Sequence, residues 1–546
     1  MGFRNFKFND FLSCVVIILV LSGCSGNGGG GNPSPIFSTV SGKVTFDSVP
    51  INKTSGLVYT NISRKPVRGV IVEAINIYDS TILDSTSTDD TGSYSLNVPV
   101  INTIKIRVKA QMLKTDGPSW DFQIVDNTNS SALYVMDSAP FDVDAFDIAG
   151  KDLNASSGWG GSAYTGTRVA APFAILDTVY KAVARITSAA PKVTMPQLLI
   201  NWSSNNRPTK GDVTKGEINT SHYNSVIKQL YILGKEDVDT DEYDDHIIAH
   251  EWGHYFEANF SRSDSLGGSH GSGDKLDPRV AFGEGFGNAF SGMALDDANY
   301  VDTKGARQAL IGVYTDLSSS AGDPLSMGWF SEDSVQYVLY ALYSSSLGFK
   351  PIYDVLVNEQ KNADSFTTIY SFIAFLKANN PSYISTINNL LTVKKITATA
   401  IDQWDSTATE TNNGNDIHPN KPLPVYSKLF IGDSVGKMIC VDDEFGYPND
   451  LKNRRFIYFV ITTKASYTIR AALITPAGIP NIYLALKGQD VENGSTDNKT
   501  AGPVTLGPLT LSPGTYVGEV CDYRHLNAAN HGSTNTGEVC YNVTLQ

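Results

Sequence analysis

From Ser38 to about Val135, apolar and polar residues alternate with the two-residue period of half-buried strands. Gly42 to Phe46, Val67 to Ile75, Ser93 to Val98 and Ile104 to Ala110 are the strand candidates, separated by turn-forming residues. This predicts a small β-sandwich over residues 38–135, and the stretch 136–157, rich in Asp, Ala, Gly and Ser, reads as a linker. The period then changes. Ala171 to Ser188 carries a helical apolar stripe, Gln197 to Trp202 and Val226 to Leu233 read as strands, and helical runs dominate from Thr240 to about Leu391. Residues 158–415 are therefore expected to form a mixed α+β domain. After about His418 strands return, with Phe456 to Thr462, Tyr467 to Leu473, Tyr483 to Lys487, Thr515 to Cys521 and Glu538 to Leu545 as candidates. They predict a second sandwich over 416–546, so the fold class is multidomain: an α+β domain flanked by two all-β sandwiches.

The N-terminus sets the compartment. Arg4 and Lys7 precede the apolar run Cys14 to Leu21, which is shorter than the roughly 20 residues of a membrane span and suits a signal-peptide core. Leu21-Ser22-Gly23-Cys24 resembles the lipobox of bacterial lipoproteins. The resemblance implies removal of residues 1–23, acylation of Cys24, and membrane attachment through a glycine-rich tether over 24–37. Ser25 in place of Asp implies the outer membrane or cell surface of a bacterial envelope. Three cysteines then remain, Cys440, Cys521 and Cys540, and one disulfide, Cys521 with Cys540, is expected in an oxidising compartment.

Composition narrows the partners. With 41% hydrophobic and 18% charged residues in 546, the chain can bury several cores. A net charge of −14 repels a phosphate backbone, so no nucleic-acid partner is expected.

The chemistry is concentrated in His250-Glu251-Trp252-Gly253-His254, an HExxH motif. A chain with 8 His meets this pattern by chance less than about once in a hundred such sequences. Asp239 and Glu242 offer a capping box for a helix through His246 to Phe260. On that helix His250 and His254 project from one face a turn apart, so both imidazoles reach one zinc ion, while Glu251 reaches water beside it. Gly253 weakens a helix and signals close packing. Downstream, Asp277-Pro278 forms a helix start, followed by Glu284, thirty residues after His254. His270, in a Gly-Ser-rich stretch, is the rival third ligand.

This arrangement resembles the gluzincins, the thermolysin-like clan of zinc metallopeptidases, in which a second helix presents Glu as third ligand. The resemblance covers about fifty residues, His246 to Leu295, and implies Glu284 as ligand. Where the clan has an acidic residue four positions on, this chain has Asn288, whose amide oxygen suits the same bond to a zinc-binding His. Tyr337 and Tyr340, on a helix that Ser331 caps, are candidates to stabilise the developing oxyanion, and His246 is a candidate support for the ligands. Elsewhere, Thr88-Asp89-Asp90-Thr91-Gly92-Ser93-Tyr94 resembles the turn of carboxypeptidase regulatory-like, transthyretin-like domains. Leu511-Ser512-Pro513-Gly514-Thr515-Tyr516 resembles a turn and strand of bacterial pre-peptidase C-terminal domains. Together they imply a tethered zinc peptidase acting on a protein or peptide, with Glu251 as general base. The alternatives are an inactive zincin-like adhesion protein and a zinc amidase acting on cell-wall peptides.

Overall fold

The computed structural model describes residues 36–323, 325–396, 401–404, 425–527 and 536–546. Cys24, the signal sequence and most of the tether lie outside these residues. The described part is multidomain and mixes many β-sheets with helices. No helix among the described residues is long and apolar enough to cross a membrane.

The N-terminal strands form where alternation predicted them, at Phe37–Ser48, Val70–Asn76, Ser93–Pro99 and Asn102–Lys114. Their inward positions, Val40, Val44, Val72, Ile104 and Ile106 among them, are fully buried. In the Thr88–Tyr94 turn, Asp89 Oδ1 accepts bonds from the Thr91 and Ser93 amides, and Gly92 takes a φ of 78°, which favours glycine. The turn's carboxylate is thus used locally.

The boundary between this region and the next is not a free linker. Within 136–157, Phe141–Val143 pairs with Asn102–Ile104, and Leu153–Ala155 pairs in parallel with Val44–Phe46. The main sheet then continues past it. Its order is His222–Asn224, Gln229–Ile232, Leu198–Trp202, Trp120–Asp126, Asn102–Lys114, Val70–Asn76, Ile82–Ser87. Strand Trp120–Asp126 would have been an open sheet edge, with unpaired backbone groups; Leu198–Trp202 covers it in parallel register. One sheet therefore runs through both regions.

Helix α1 (Ala170–Ala189) has fourteen buried residues and packs between this sheet and the two helices that follow it. These are α2 (Asp245–Phe260) and α3 (Pro278–Leu295). The expected capping box before α2 does not form. Asp239 sits in a short strand, Asp239–Thr240, and Glu242 is fully buried in an ion pair with Arg168 at 2.9 Å. Asp244 at the N-cap turns its carboxylate to Thr303 instead. In α3 the expected start holds: Asp277 Oδ1 accepts from the Arg279 amide at 3.0 Å, with Pro278 in the first turn.

α3 carries glycines at 283, 285, 287 and 292, each a cost of about 1 kcal/mol against Ala in an isolated helix. Packing explains three of them: a Cβ at Gly292 would stand 2.6 Å from Leu317 Cδ1. A Cβ at Gly285 would stand 2.6 Å from Val335 Cβ on α4 (Glu332–Ser344), and one at Gly287 would stand 2.8 Å from the His250 ring. Gly253 on α2 faces Gly287 Cα, which would be 3.5 Å from a Cβ there. The helices approach closely because side chains are missing where they meet.

The C-terminal strands form two sheets of five and four strands around a separate core. The expected Cys521–Cys540 disulfide is corrected: Cys440 pairs with Cys540, and Cys521 is a buried free thiol. Cys440 and Cys540 lie directly opposite on neighbouring antiparallel strands, whereas Cys521 belongs to the facing sheet. This sandwich is bolted to the helical region. Buried Arg279 of α3 pairs with Asp277 at 2.8 Å and with Glu519 at 2.9 Å, and Glu519 also accepts from Arg454.

Candidate metal centre

α2 places His250 and His254 one turn apart, and α3 crosses it with Glu284. One ligand atom from each of the three lies within 4.8 Å of the others. His250 Nε2 and His254 Nε2 are 3.0 Å apart, and each is 3.3 Å from Glu284 Oε2. Three lone-pair atoms crowded on one point repel unless a cation or proton lies between them. In the metal-free chain protons do this. Burial opposes both shifts, yet Glu284 holds His254 well above the usual imidazole range, and His254 holds Glu284 well below the usual carboxylate range.

The ring of His250 is oriented by α3 and α4. Asn288 Nδ2 donates to Glu332 Oε1 and to Gln336 Oε1, both at 2.7 Å. Its Oδ1 is thereby left to accept from His250 Nδ1 at 2.7 Å. That bond puts the proton on Nδ1 and turns Nε2, as a lone pair, toward the other ligands. His254 Nδ1 lies 3.4 Å from Glu257 Oε2. Burial pushes Glu257 up to about 7, with His254 pulling the other way. The residues fit a zinc ion: two imidazoles and one carboxylate, a carboxamide orienting one imidazole, and a ring pocket that exists because residue 287 has no Cβ.

Glu251 points to the sheet. Its Oε2 accepts from the backbone amide of Tyr223 at 2.8 Å. Tyr223 lies in the outermost strand, His222–Asn224, so this carboxylate meets the sheet at its edge.

His270 is brought into the cluster: its Nε2 is 3.3 Å from Glu284 Oε2 and its Nδ1 2.9 Å from Glu332 Oε2. Against its burial, Glu332 and Glu284 raise it to about 9. The two tyrosines are not brought in. Tyr337 stacks under Lys394 Nζ at 4.6 Å, and Tyr340 packs against Gly292, two turns along α3 from Glu284. α4 turns Glu332 and Gln336 toward the site; Tyr337 falls on another face, and Tyr340, one turn beyond Gln336 on the same face, meets α3 at Gly292, farther along that helix than Glu284. Ser331 does cap α4, accepting from Ser334 N at 3.3 Å. The His246 ring bonds elsewhere: its Nδ1 is 2.9 Å from Ser291 Oγ and its Nε2 4.0 Å from Asp297 Oδ2.

Glu257, Glu332, Gln336 and Tyr223 carry no motif. Glu257 alone had a local signal, three residues after His254 on the same helix face.

No family model matches the chain, and no curated protein matches its sequence. Among solved structures, the pre-peptidase C-terminal domain of collagenase from Bacillus anthracis is similar at 13% identity over 22% of this chain and 92% of that one, TM-score 0.15. The periplasmic inhibitor of g-type lysozyme PliG from Aeromonas hydrophila matches at 17% identity over 22% of this chain and 96% of that one, TM-score 0.15. A 9R-lipoxygenase from Cyanothece matches at 10% identity over 31% of this chain and 27% of that one, TM-score 0.14. At these TM-scores the likenesses carry no argument about this chain.

Proposed function

We propose that the chain is a gluzincin-type zinc peptidase, held at a bacterial cell envelope by a lipid on Cys24. The observation that carries the reading is the meeting of His250 and His254 from α2 with Glu284 from α3 at one point, with the Glu251 carboxylate near enough to favour the charged form of His254. His250, His254 and Glu284 hold the zinc, which supplies Lewis acidity toward water and a peptide carbonyl. Glu251 is the general base: it takes a proton from the attacking water and hands it to the leaving amine. Its bond to Tyr223 N places it at the outer strand of the sheet, where an extended peptide can add by backbone pairing. His270, braced by Glu332, supplies the N–H donor for the developing oxyanion in place of a tyrosine. Asn288 keeps the His250 lone pair available to the metal.

The test is digestion of a mixed peptide library by residues 25–546 beside the Glu251→Gln variant, with zinc measured in both. Cutting by the wild type alone, with zinc in both, is the expected result. Zinc without cutting of peptides would shift the assignment to cell-wall peptides or to a binding protein, and muropeptide digestion separates those. Absence of zinc overturns the ligand assignment.

A further inference from the structure

A second cluster of ligating side chains lies where the chain enters α2. Asp239, Asp241 and Asp302 each offer one carboxylate oxygen, and the three oxygens lie within 4.8 Å of one another. Asp239 belongs to the short strand Asp239–Thr240, with Asp241 just after it, and Asp302 to strand Asn299–Lys304, which forms a hairpin with Leu310–Asp316. Asp241 is 3% exposed. Its Oδ2 accepts from Ser221 Oγ, while its Oδ1 is buried with no hydrogen-bond donor, as is Asp239 Oδ1. Burial and the neighbouring carboxylates push Asp241 well above the usual carboxylate range, and the same causes push Asp302 up to about 7. Lys304 attracts Asp239 and Asp302 without reversing either shift.

A neutral side chain points the same way. Gln308 is 1% exposed and sits beside Asp239. Its Nε2 donates to Thr303 O at 2.9 Å and to Thr240 O at 3.3 Å, the residues that follow Asp302 and Asp239. Its Oε1 is buried without a donor. Turning the carboxamide over sets that oxygen against two backbone carbonyls, so neither orientation satisfies it. Thr240 Oγ1, fully buried, also lacks a partner. The hairpin leaves room for the third carboxylate, since a Cβ at Gly312 would stand 2.7 Å from Asp302 Oδ2. Carboxylate and carboxamide oxygens without donors thus gather around buried Asp241, between half-buried Asp239 and Asp302. That is the donor set of a hard divalent cation, and its irregular geometry suits calcium rather than the strict octahedron of magnesium.

We propose that Asp239, Asp241 and Asp302 form a calcium site, separate from the zinc ligands, that ties the hairpin to the start of α2. The tie reaches the helix through Asp244, whose carboxylate accepts from Thr303 N at 2.7 Å and from Thr303 Oγ1 at 3.0 Å. It reaches the metal centre through Tyr300 of the same strand, whose ring centroid is 6.3 Å from that of His250. The site does not depend on the peptidase reading, because its residues take no part in the chemistry.

The mature chain, freed of metal, reloaded with zinc and titrated with calcium chloride at about pH 8, tests it by calorimetry and thermal unfolding. The expected result is one site with a dissociation constant on the order of 10⁻⁴ M or tighter, a raised unfolding temperature, and proton release seen as a buffer-dependent heat. Asp302→Asn, shown to be folded by circular dichroism, should weaken calcium binding at least tenfold, and Glu251→Gln should not weaken it. If Asp302→Asn does not fold, Gly312→Ala, which crowds the same carboxylate, takes its place with the same expectation. No heat and no stabilisation at about 10 mM calcium overturns the proposal, leaving a proton-sharing acidic cluster. Undiminished binding by the folded variant overturns it equally.

Discussion

The two ligand clusters at either end of the first turns of α2 are built on opposite principles. The zinc ligands are two nitrogens and one oxygen; Asn288 and Glu257 engage their outer ring nitrogens, and His254 keeps 20% of its side chain exposed. The aspartate cluster is all oxygen, with buried acceptors that no donor reaches. In the first, the crowded ligand atoms also need a positive charge between them, but His254 and Glu284 favour one together and partners hold both imidazoles before any metal arrives, so the ion adds chemistry to a prepared place. In the second, the carboxylates repel one another until something positive arrives, so the ion, or a proton, adds stability. Preorganisation therefore marks the catalytic candidate and frustration marks the structural one.

The largest effect should come from breaking the first cluster's chemistry without touching its ligands. Glu251→Gln should lower kcat by about 10³-fold while zinc content stays at one per chain and calcium affinity is unchanged. Next is the distant support of α3. Arg279→Met leaves Asp277 and Glu519 buried without their shared cation, which should cost about 3–5 kcal/mol in chemical denaturation. Zinc retention should fall with it while calcium binding, which uses no α3 residue, stays; equal loss of both would mean that the two clusters do not differ in this way. Asn288→Ala removes the acceptor that orients His250 and should weaken zinc binding by roughly 10–100-fold in a chelator competition.

The smallest effect concerns pH. Asp302, raised to about 7 by burial and by Asp239, is protonated in the folded metal-free chain where its unfolded counterpart is ionised. The folded state then binds more protons, so this group's stabilisation is complete below about pH 4 and is lost as pH rises through about 7. Without calcium, wild type should lose stability relative to Asp302→Asn over that window. With saturating calcium the order should reverse at high pH, because the ion now favours the ionised carboxylate. Thermal unfolding of both chains between about pH 5 and 8, with and without calcium, checks both signs.

Much of the fold could be read along the chain because its signals are local. Two-residue alternation located the strands of both β regions, and Asp277-Pro278 and Ser331 marked helix starts that the structure keeps. Other signals failed where local pairing competed with the interior. Glu242 had the spacing of a capping residue, but the buried guanidinium of Arg168 holds it in an ion pair instead. Cys521 and Cys540 are the nearer pair in sequence. Cross-strand register, which sequence separation does not report, put Cys440 opposite Cys540.

For the metal centre, the HExxH spacing by itself determined that on a helix the two imidazoles lie a turn apart on one face, since 3.6 residues per turn bring i and i+4 together. The resemblance pointed to Glu284 and Asn288, and the crossing of α2 and α3 brings both to His250. Only the tertiary structure decided that His270 and Glu332 join them, that Tyr337 and Tyr340 do not, and that Tyr223 meets Glu251 from the edge strand. Only it brought Asp302 to Asp239 and Asp241, from a strand 61 residues further along the chain than Asp241. The physical reason is one of range: a helix fixes neighbours three or four residues away, whereas contacts between elements depend on which side chains are small enough, as at Gly253, Gly287 and Gly312, to let backbones approach.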